Sequence, residues 1–171
     1  MPKTIKVNVE DHKLIDSGRV CEDVTEVALP DLEHITIAIE NISGLAGNLD
    51  LPLPSKLQAS EYTINHNNGT NCERLCDPVM HEQEFRTVRQ VLDTAKAAIR
   101  YESVKYRLRG MPKAATGGSI TKGNPWGGSE RYSLLRYEEI VNGKQTKLLD
   151  WLANKVVING KDYSLDVSKL L

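Results

Sequence analysis

Short runs of alternating apolar and polar residues, punctuated by glycine, proline and asparagine, constrain this chain more than anything else in it. In TIKVNV (residues 4–9), Ile5, Val7 and Val9 alternate with polar neighbours, the pattern of a half-buried strand. HITIAIE (34–40) repeats it with Ile35, Ile37 and Ile39. In SVKYRLR (103–109), Val104, Tyr106 and Leu108 face one way and Lys105, Arg107 and Arg109 the other. RYSLLRYEEIV (131–141) and KQTKLL (144–149) flank Asn142-Gly143, a dipeptide that supplies the positive φ angles of a tight hairpin turn. A second such pair, Asn159-Gly160, follows Val156-Val157-Ile158. This pattern predicts a mainly β chain, an antiparallel sandwich or barrel. The chain has 171 residues, which suits a single domain over residues 1–171.

Three segments read less simply. Across residues 82–101, Phe85, Val88, Leu92, Ala95 and Ile99 recur at helical spacing. The same stretch holds Thr87, Val88, Val91 and Thr94, whose branched side chains fit strands better. Asn71 or Thr70 is placed to cap a short helix through Cys76, ended by Asp77-Pro78. Residues 110–130, GMPKAATGGSITKGNPWGGSE, read as one long glycine-rich loop, and loops of that length usually serve function or assembly.

Charge and apolar content narrow the function classes. The 22 basic and 23 acidic residues leave a net charge of -1, with no terminal tail of either sign to mark a nucleic-acid footprint. No apolar stretch has the length of a signal peptide or a membrane span. The expectation is a chain folded in a cytoplasm with no membrane anchoring. Three cysteines are an odd number, which predicts no disulfide framework.

Chemistry-bearing residues are few. His66, Cys72, Cys76 and His81 fall within sixteen residues and could ligate zinc. Their C-x3-C spacing departs from the usual C-x2-C knuckle, so the plainer reading is half-buried thiols that pack as small hydrophobes. No G-x-S-x-G elbow is present, and Glu138-Glu139 lies in a strand, where neighbours point to opposite faces. Gly117-Gly118 and Gly127-Gly128 lack the spacing and the Lys-Ser/Thr ending of a phosphate loop. The row Lys105, Arg107 and Arg109 reads as a solvated or interface face before it reads as a phosphate-binding one. These residues predict neither an enzyme nor a cofactor or metal site.

The order of features resembles the major tail tube proteins of contractile-tailed phages and R-type bacteriocins. The resemblance is carried by Tyr106-Arg107-Leu108-Arg109-Gly110, by RYSLLRYEEIVNGK, and by an acidic position at Asp150. It continues through Asn154, Val157-Ile158-Asn159-Gly160 and Asp162, and closes on SLDVSKLL. In the first half, Ala28-Leu29-Pro30-Asp31-Leu32 is similar to the family's "LP-x-L" start, and residues 44–50 to its glycine-rich run before a hairpin.

What the resemblance implies is a β-sandwich with one short helix. Six copies form a ring, hairpins merge into an inner β-barrel, and rings stack. It also implies two strands in residues 84–101, meeting near Asp93-Thr94-Ala95. The chain would then be a structural tube subunit of a virion tail, assembled in the bacterial host cytoplasm, and a conduit for genome delivery. Its partners would be copies of itself, the tail sheath protein, the baseplate hub, the tail terminator, a tape measure protein in the lumen, and DNA in transit. The tube of a DNA-free bacteriocin or injection particle fits equally. A reading of another class is a zinc-dependent nucleic-acid-binding module on His66, Cys72, Cys76 and His81.

A tube lets DNA slide only if its wall does not hold phosphates. On the family's pattern residues 47–66 form the lumen hairpin. Tyr62 and Ile64 carry its apolar area and should turn to the core. Asp50, Lys56, Ala59, Glu61, Thr63 and Asn65 are then expected to line a neutral to acidic channel. Arg107, Arg109 and the apolar Trp126 are expected at assembly interfaces.

Overall fold

The computed structural model describes residues 3–67 and 76–171. Three hairpins set its frame. β1 (Thr4–Asp16) returns through Ser17-Gly18 into β2 (Arg19–Cys21), and β3 (Val24–Ala28) follows. β9 (Ser129–Val141) returns through Asn142-Gly143 into β10 (Lys144–Asp150). β11 (Lys155–Ile158) returns through Asn159-Gly160 into β12 (Lys161–Asp162). The first residue of each turn has φ of 48–51° and its glycine 79–84°, the left-handed pair that matches strand twist.

Two wider turns use a carboxylate instead. β7 (His81–Asp93) and β8 (Ala98–Thr116) are joined by residues 94–97, with Asp93 Oδ1 accepting from the backbone of Ala95 at 3.1 Å. β10 meets β11 through residues 151–154, where Asp150 accepts from Ala153 N–H at 2.9 Å. Residues 82–101 are thus two strands. The branched side chains and the turn at Asp93 outweigh the helical spacing, because each strand gains partners on both sides.

The strands build one antiparallel sheet in the order β12-β11-β10-β9-β8-β7-β1-β2. It forks at β9. The second half of that strand pairs with β10, while residues 129–133 pair with β6 (Glu61–His66), which in turn pairs with β3. Leu14 and Cys21 from one end of the sheet share a core cluster with Leu149 and Val156 from the other. The wings therefore fold over one face in the manner of a sandwich. Tyr62 stacks on Tyr132 at 5.1 Å and meets Phe85 edge-on at 6.4 Å. Burial pushes the Tyr62 and Tyr132 hydroxyls far above their ordinary range, so both remain neutral. The Tyr62 hydroxyl donates to buried Gln83 at 2.6 Å.

Apart from this sheet, β4 (His34–Ile39) and β5 (Leu49–Leu57) form a separate two-stranded hairpin. The chain closes on a short helix, α1 (Leu165–Ser168), whose first turn is tied back by Asp162 accepting from Leu165 N–H.

Several expectations are corrected. The hairpin expected over residues 47–66 is split between two sheets: β5 ends at Leu57 and β6 starts at Glu61. The hairpin is consequently residues 34–57 and not 47–66. The glycine-rich loop is shorter than residues 110–130, because β8 runs on to Thr116 and pairs with β9. Gly110 is a strand residue at a register shift. A Cβ there would sit 2.6 Å from the Tyr62 hydroxyl, so close packing requires the glycine and turn flexibility does not. The first strand extends to Asp16, well past Val9. Cys21 is disulfide-bonded and Cys76 is free, since an odd count excludes a full framework and not a bridge. Cys72 and the short helix expected after Asn71 lie outside the described residues.

Candidate assembly surfaces

The zinc candidates are held otherwise. His81 is fully buried, with Nδ1 3.0 Å from Asp16 and Nε2 3.0 Å from the Asp77 carbonyl. Both nitrogens point at acceptors, which leaves no lone pair for a metal. His66 pairs with buried Glu130, which also lies 3.8 Å from the Cys76 thiol. Among the described residues no group of three or more His, Cys, Asp or Glu is arranged to hold a metal ion.

The expected lumen residues divide among three places. Asp50 and Lys56 sit on β5, Ala59 in the connector, and Glu61, Thr63 and Asn65 on β6. Along β6 the buried residues are Tyr62, Ile64 and His66, while Glu61 is exposed and Thr63 and Asn65 are half-buried. Strand alternation thus sends Tyr62 and Ile64 into the core and Glu61 away from it. Glu61 does not stand alone. Lys113 approaches it at 2.9 Å and Arg131 at 3.6 Å, while Glu26 accepts from Asn65 at 3.0 Å on the same face. Two acids and two bases make this face electrically balanced.

The hydrogen bond from Lys113, helped by Arg131, holds the Glu61 carboxyl below its ordinary value. Lys113→Met is therefore expected to move the Glu61 titration upward, read by NMR of the side-chain carboxyl. An unmoved titration would show that the pair does not persist in solution.

Arg107 and Arg109 lie on the face of β1-β7-β8-β9 that points away from the core, which no described strand or helix covers. Cross-strand partners there read Glu82–Arg109, Glu84–Arg107–Glu138 and Arg86–Lys105. Arg107 bonds Glu84 at 3.2 Å, Arg86 bonds the same carboxylate, and Arg109 pairs with Glu82. Burial pushes Glu84 up, but the hydrogen bonds from Arg86 and Arg107 more than offset it and its pKa is lowered. A groove of about 570 Å³ runs along this face over Ile15, lined by Arg86, Arg107, Arg109 and Arg136 together with Glu82, Glu84 and Glu138. Farther along, the same face becomes apolar: Ile5, Leu92 and Ile99 are direct cross-strand neighbours, with Ile99 60% exposed.

Trp126 lies in the 117–128 connection, which is closed at its base. Ser119 N–H donates to the Trp126 carbonyl at 2.9 Å, and His66 N–H to the Gly128 carbonyl at 2.9 Å. The indole is 45% exposed. Sequence reasoning missed the hairpin at residues 34–57 as a separate unit. Its apolar pairs Ile37–Leu51 and Ile39–Leu49 lie on one face and Ala38–Asp50 on the other. The period-2 pattern of β4 was legible, but the two prolines and four leucines of β5 alternate too regularly with each other to name a partner.

Solved structures share this architecture at low identity. A chain from a cryo-EM structure of an extracellular contractile injection system, the PVC sheath–tube complex in its extended state, superposes with a TM-score of 0.54. It has 12% identity, and the match covers 78% of this chain and 90% of that one. A chain from the sheath/tube terminator of the same system gives 0.53 at 11% identity, covering 78% and 95%. One from the anti-feeding prophage tube-terminating cap gives 0.52 at 12%, covering 75% and 86%. No curated protein matches the sequence. At these identities the superpositions establish the fold. The sequence itself matches the family model described as phage tail tube protein FII over residues 12–171, all but the start of the chain. The long open sheet, its uncovered face and the separate hairpin accordingly belong to a member of the phage tail tube protein FII family, a structural subunit of a tail tube.

Proposed function

We propose that this subunit forms the tube of a contractile tail, as hexameric rings stacked into a conduit through a cell envelope. The observation that carries the reading is the family match along residues 12–171. The fold supports it: a lone two-stranded hairpin is marginal in water, and β1 presents a free edge over the residues that β2 does not pair. Closing a ring gives both of them partners. Stacking rings is a head-to-tail contact that does not close, so it propagates a filament. Residues 1–171 act as one domain in this reading. The subunit makes and breaks no bond.

The channel wall in this assembly comprises the Asp50 side of the hairpin, with Lys56 and Ala59, and the β6 face bearing Glu61, Thr63 and Asn65. The balanced charge of Glu61 with Lys113 and Arg131 favours passage over binding, because a wall of unpaired cations would hold a phosphate backbone. A tape measure protein and then DNA would occupy the lumen. The sheath would surround the tube, with the baseplate hub and the terminator at its ends. The particle is a virion tail assembled in host cytoplasm, or a DNA-free bacteriocin or injection particle with the same tube.

Purified protein at high concentration, seeded by a baseplate, should give hollow tubes with ring striations in negative stain. A protein that stays monomeric under those conditions contradicts the proposal. Trp126 is an apolar anchor in a polar connection, placed at a ring–ring or ring–sheath contact. Trp126→Ala should reduce tube yield several-fold while leaving the circular dichroism spectrum unchanged. Normal tubes from that variant would remove Trp126 from the interface.

A further inference from the structure

Two turns in this fold share a backbone and differ in what holds their side chains. Asn142 and Gly143 have φ of 49° and 79°, Asn159 and Gly160 of 51° and 82°. In each turn the asparagine N–H donates to a neighbouring strand, Asn142 to the Ser103 carbonyl at 2.9 Å and Asn159 to the Thr146 carbonyl at 2.7 Å. Both asparagines are exposed. The glycine that follows each has no Cβ, so its backbone nitrogen is open to approach from the asparagine side chain. A third Asn-Gly pair, Asn68-Gly69, lies outside the described residues.

The side-chain amides are held differently. Asn142 is tied at both ends: Oδ1 accepts from Ser103 N–H at 3.1 Å, and Nδ2 donates to Glu102 at 3.0 Å. The Asn159 side chain has no hydrogen-bond partner among the described residues. The flanking strands differ as well. Asn142 joins β9 to β10, each paired on both sides. Asn159 joins β11 to β12, a strand of two residues at the end of the sheet. Only the pairs Val157–Asp162 and Ile158–Lys161 hold it in register, so this turn opens locally far more readily than one inside the sheet. Asn41 and Asn154 also take φ of 55° and 49°, but Ile42 and Lys155 follow them, and a side chain at that position hinders approach to the nitrogen.

We infer that Asn159 is a site of spontaneous deamidation, reacting well ahead of Asn142, with water as the co-reactant. When the turn opens, the Gly160 backbone nitrogen gives its proton to hydroxide and attacks Cγ of Asn159. The new C–N bond closes a five-membered succinimide. The bond from Cγ to Nδ2 breaks, and that nitrogen leaves as ammonia after taking a proton from water, which restores the hydroxide. Water then adds to one of the two ring carbonyls and opens the ring to aspartate or isoaspartate. The product gains one negative charge, and isoaspartate also adds a methylene to the main chain inside a two-residue turn. The hairpin geometry that Asn-Gly supplies is then lost. β12 loses its register, and α1, tied back through Asp162, loses its anchor. The reaction belongs to the subunit itself and does not depend on what the subunit assembles into.

The test is an ageing experiment on the purified chain in mildly alkaline buffer, sampled over weeks, with a parallel sample in urea. Trypsin releases the two sites on separate peptides, residues 137–144 and 156–161. Mass spectrometry reads the conversion of each, and enzymatic carboxyl methylation identifies isoaspartate. In urea the two asparagines face the same attacking glycine and should convert at similar rates. In the folded chain Asn159 should convert about tenfold faster than Asn142 or more, because its amide is untied and its turn opens more often. Amide exchange over residues 161–168 should be faster in the aged fraction. Equal rates at the two sites in the folded chain, faster conversion at Asn142, or no conversion at Asn159 while the urea sample reacts would each overturn the inference.

Discussion

Replacing His81 with alanine is expected to destabilise the fold by about 3–5 kcal/mol, the usual effect of removing one partner from a buried ion pair. His81 is 0% exposed and Asp16 3%. The imidazole spans two elements, donating from Nδ1 to the Asp16 carboxylate at the end of β1 and from Nε2 to the Asp77 carbonyl before β7. It also packs edge-on against Tyr132 at 5.6 Å. Alanine would leave the carboxylate buried without its main partner and open a cavity beside the stacked tyrosines. Urea unfolding should show a lower midpoint with an unchanged slope. A loss of stability below about 0.5 kcal/mol, the range of an ordinary surface change, would mean that the pair is incidental.

Gly110→Ala is expected to destabilise by about 1–3 kcal/mol, as overpacking does in a filled core. The new Cβ would meet the Tyr62 hydroxyl at 2.6 Å and the Ser133 carbonyl oxygen at 2.9 Å. Neither yields easily. Ser133 is backbone in β9, and Tyr62 is fixed by its bond to Gln83 and by its stacking on Tyr132. A double-mutant cycle separates the two clashes. Tyr62→Phe removes the oxygen nearest the new methyl group, so the double variant should cost less than the sum of the two single changes. Strict additivity would show that the Tyr62 hydroxyl is irrelevant and that the Tyr62 ring carbon and the Ser133 backbone, both 2.9 Å away, supply the resistance.

Much of the fold was legible because local signals agreed with the final partners. Asn142-Gly143 and Asn159-Gly160 announced hairpins that the structure contains, and alternation placed Tyr62 and Ile64 in the core. Ser17-Gly18 was missed because serine rarely leads such a turn, although its φ of 48° matches the others. The break between β5 and β6 was not legible. Gln58, Ala59 and Ser60 carry no proline or glycine, and what separates the strands is a change of partner, from β4 to β9. The same holds for Gly110. A glycine at the head of a glycine-rich segment looks like a loop residue, and only the distance to Tyr62 reveals its packing role.

The candidate assembly surfaces were partly readable. The row Lys105, Arg107 and Arg109 was correctly placed on one face, but its carboxylate partners Glu82 and Glu84 come from β7, 23 to 27 positions away in sequence. Glu61 looked like a lone acid for the same reason, since Lys113 and Arg131 reach it from other strands. Long-range ion pairs depend on strand register, and register follows from the completed sheet.

The most direct measurement is a cryo-EM reconstruction of the assembled polymer at side-chain resolution. The account predicts a hollow tube of six-membered rings, with the Glu61 face of β6 and the Asp50 side of the hairpin on the channel, and Arg107 at a contact away from it. Discrete closed particles, a filament without a lumen, or a channel lined by Arg107 with Glu61 buried between subunits would contradict it.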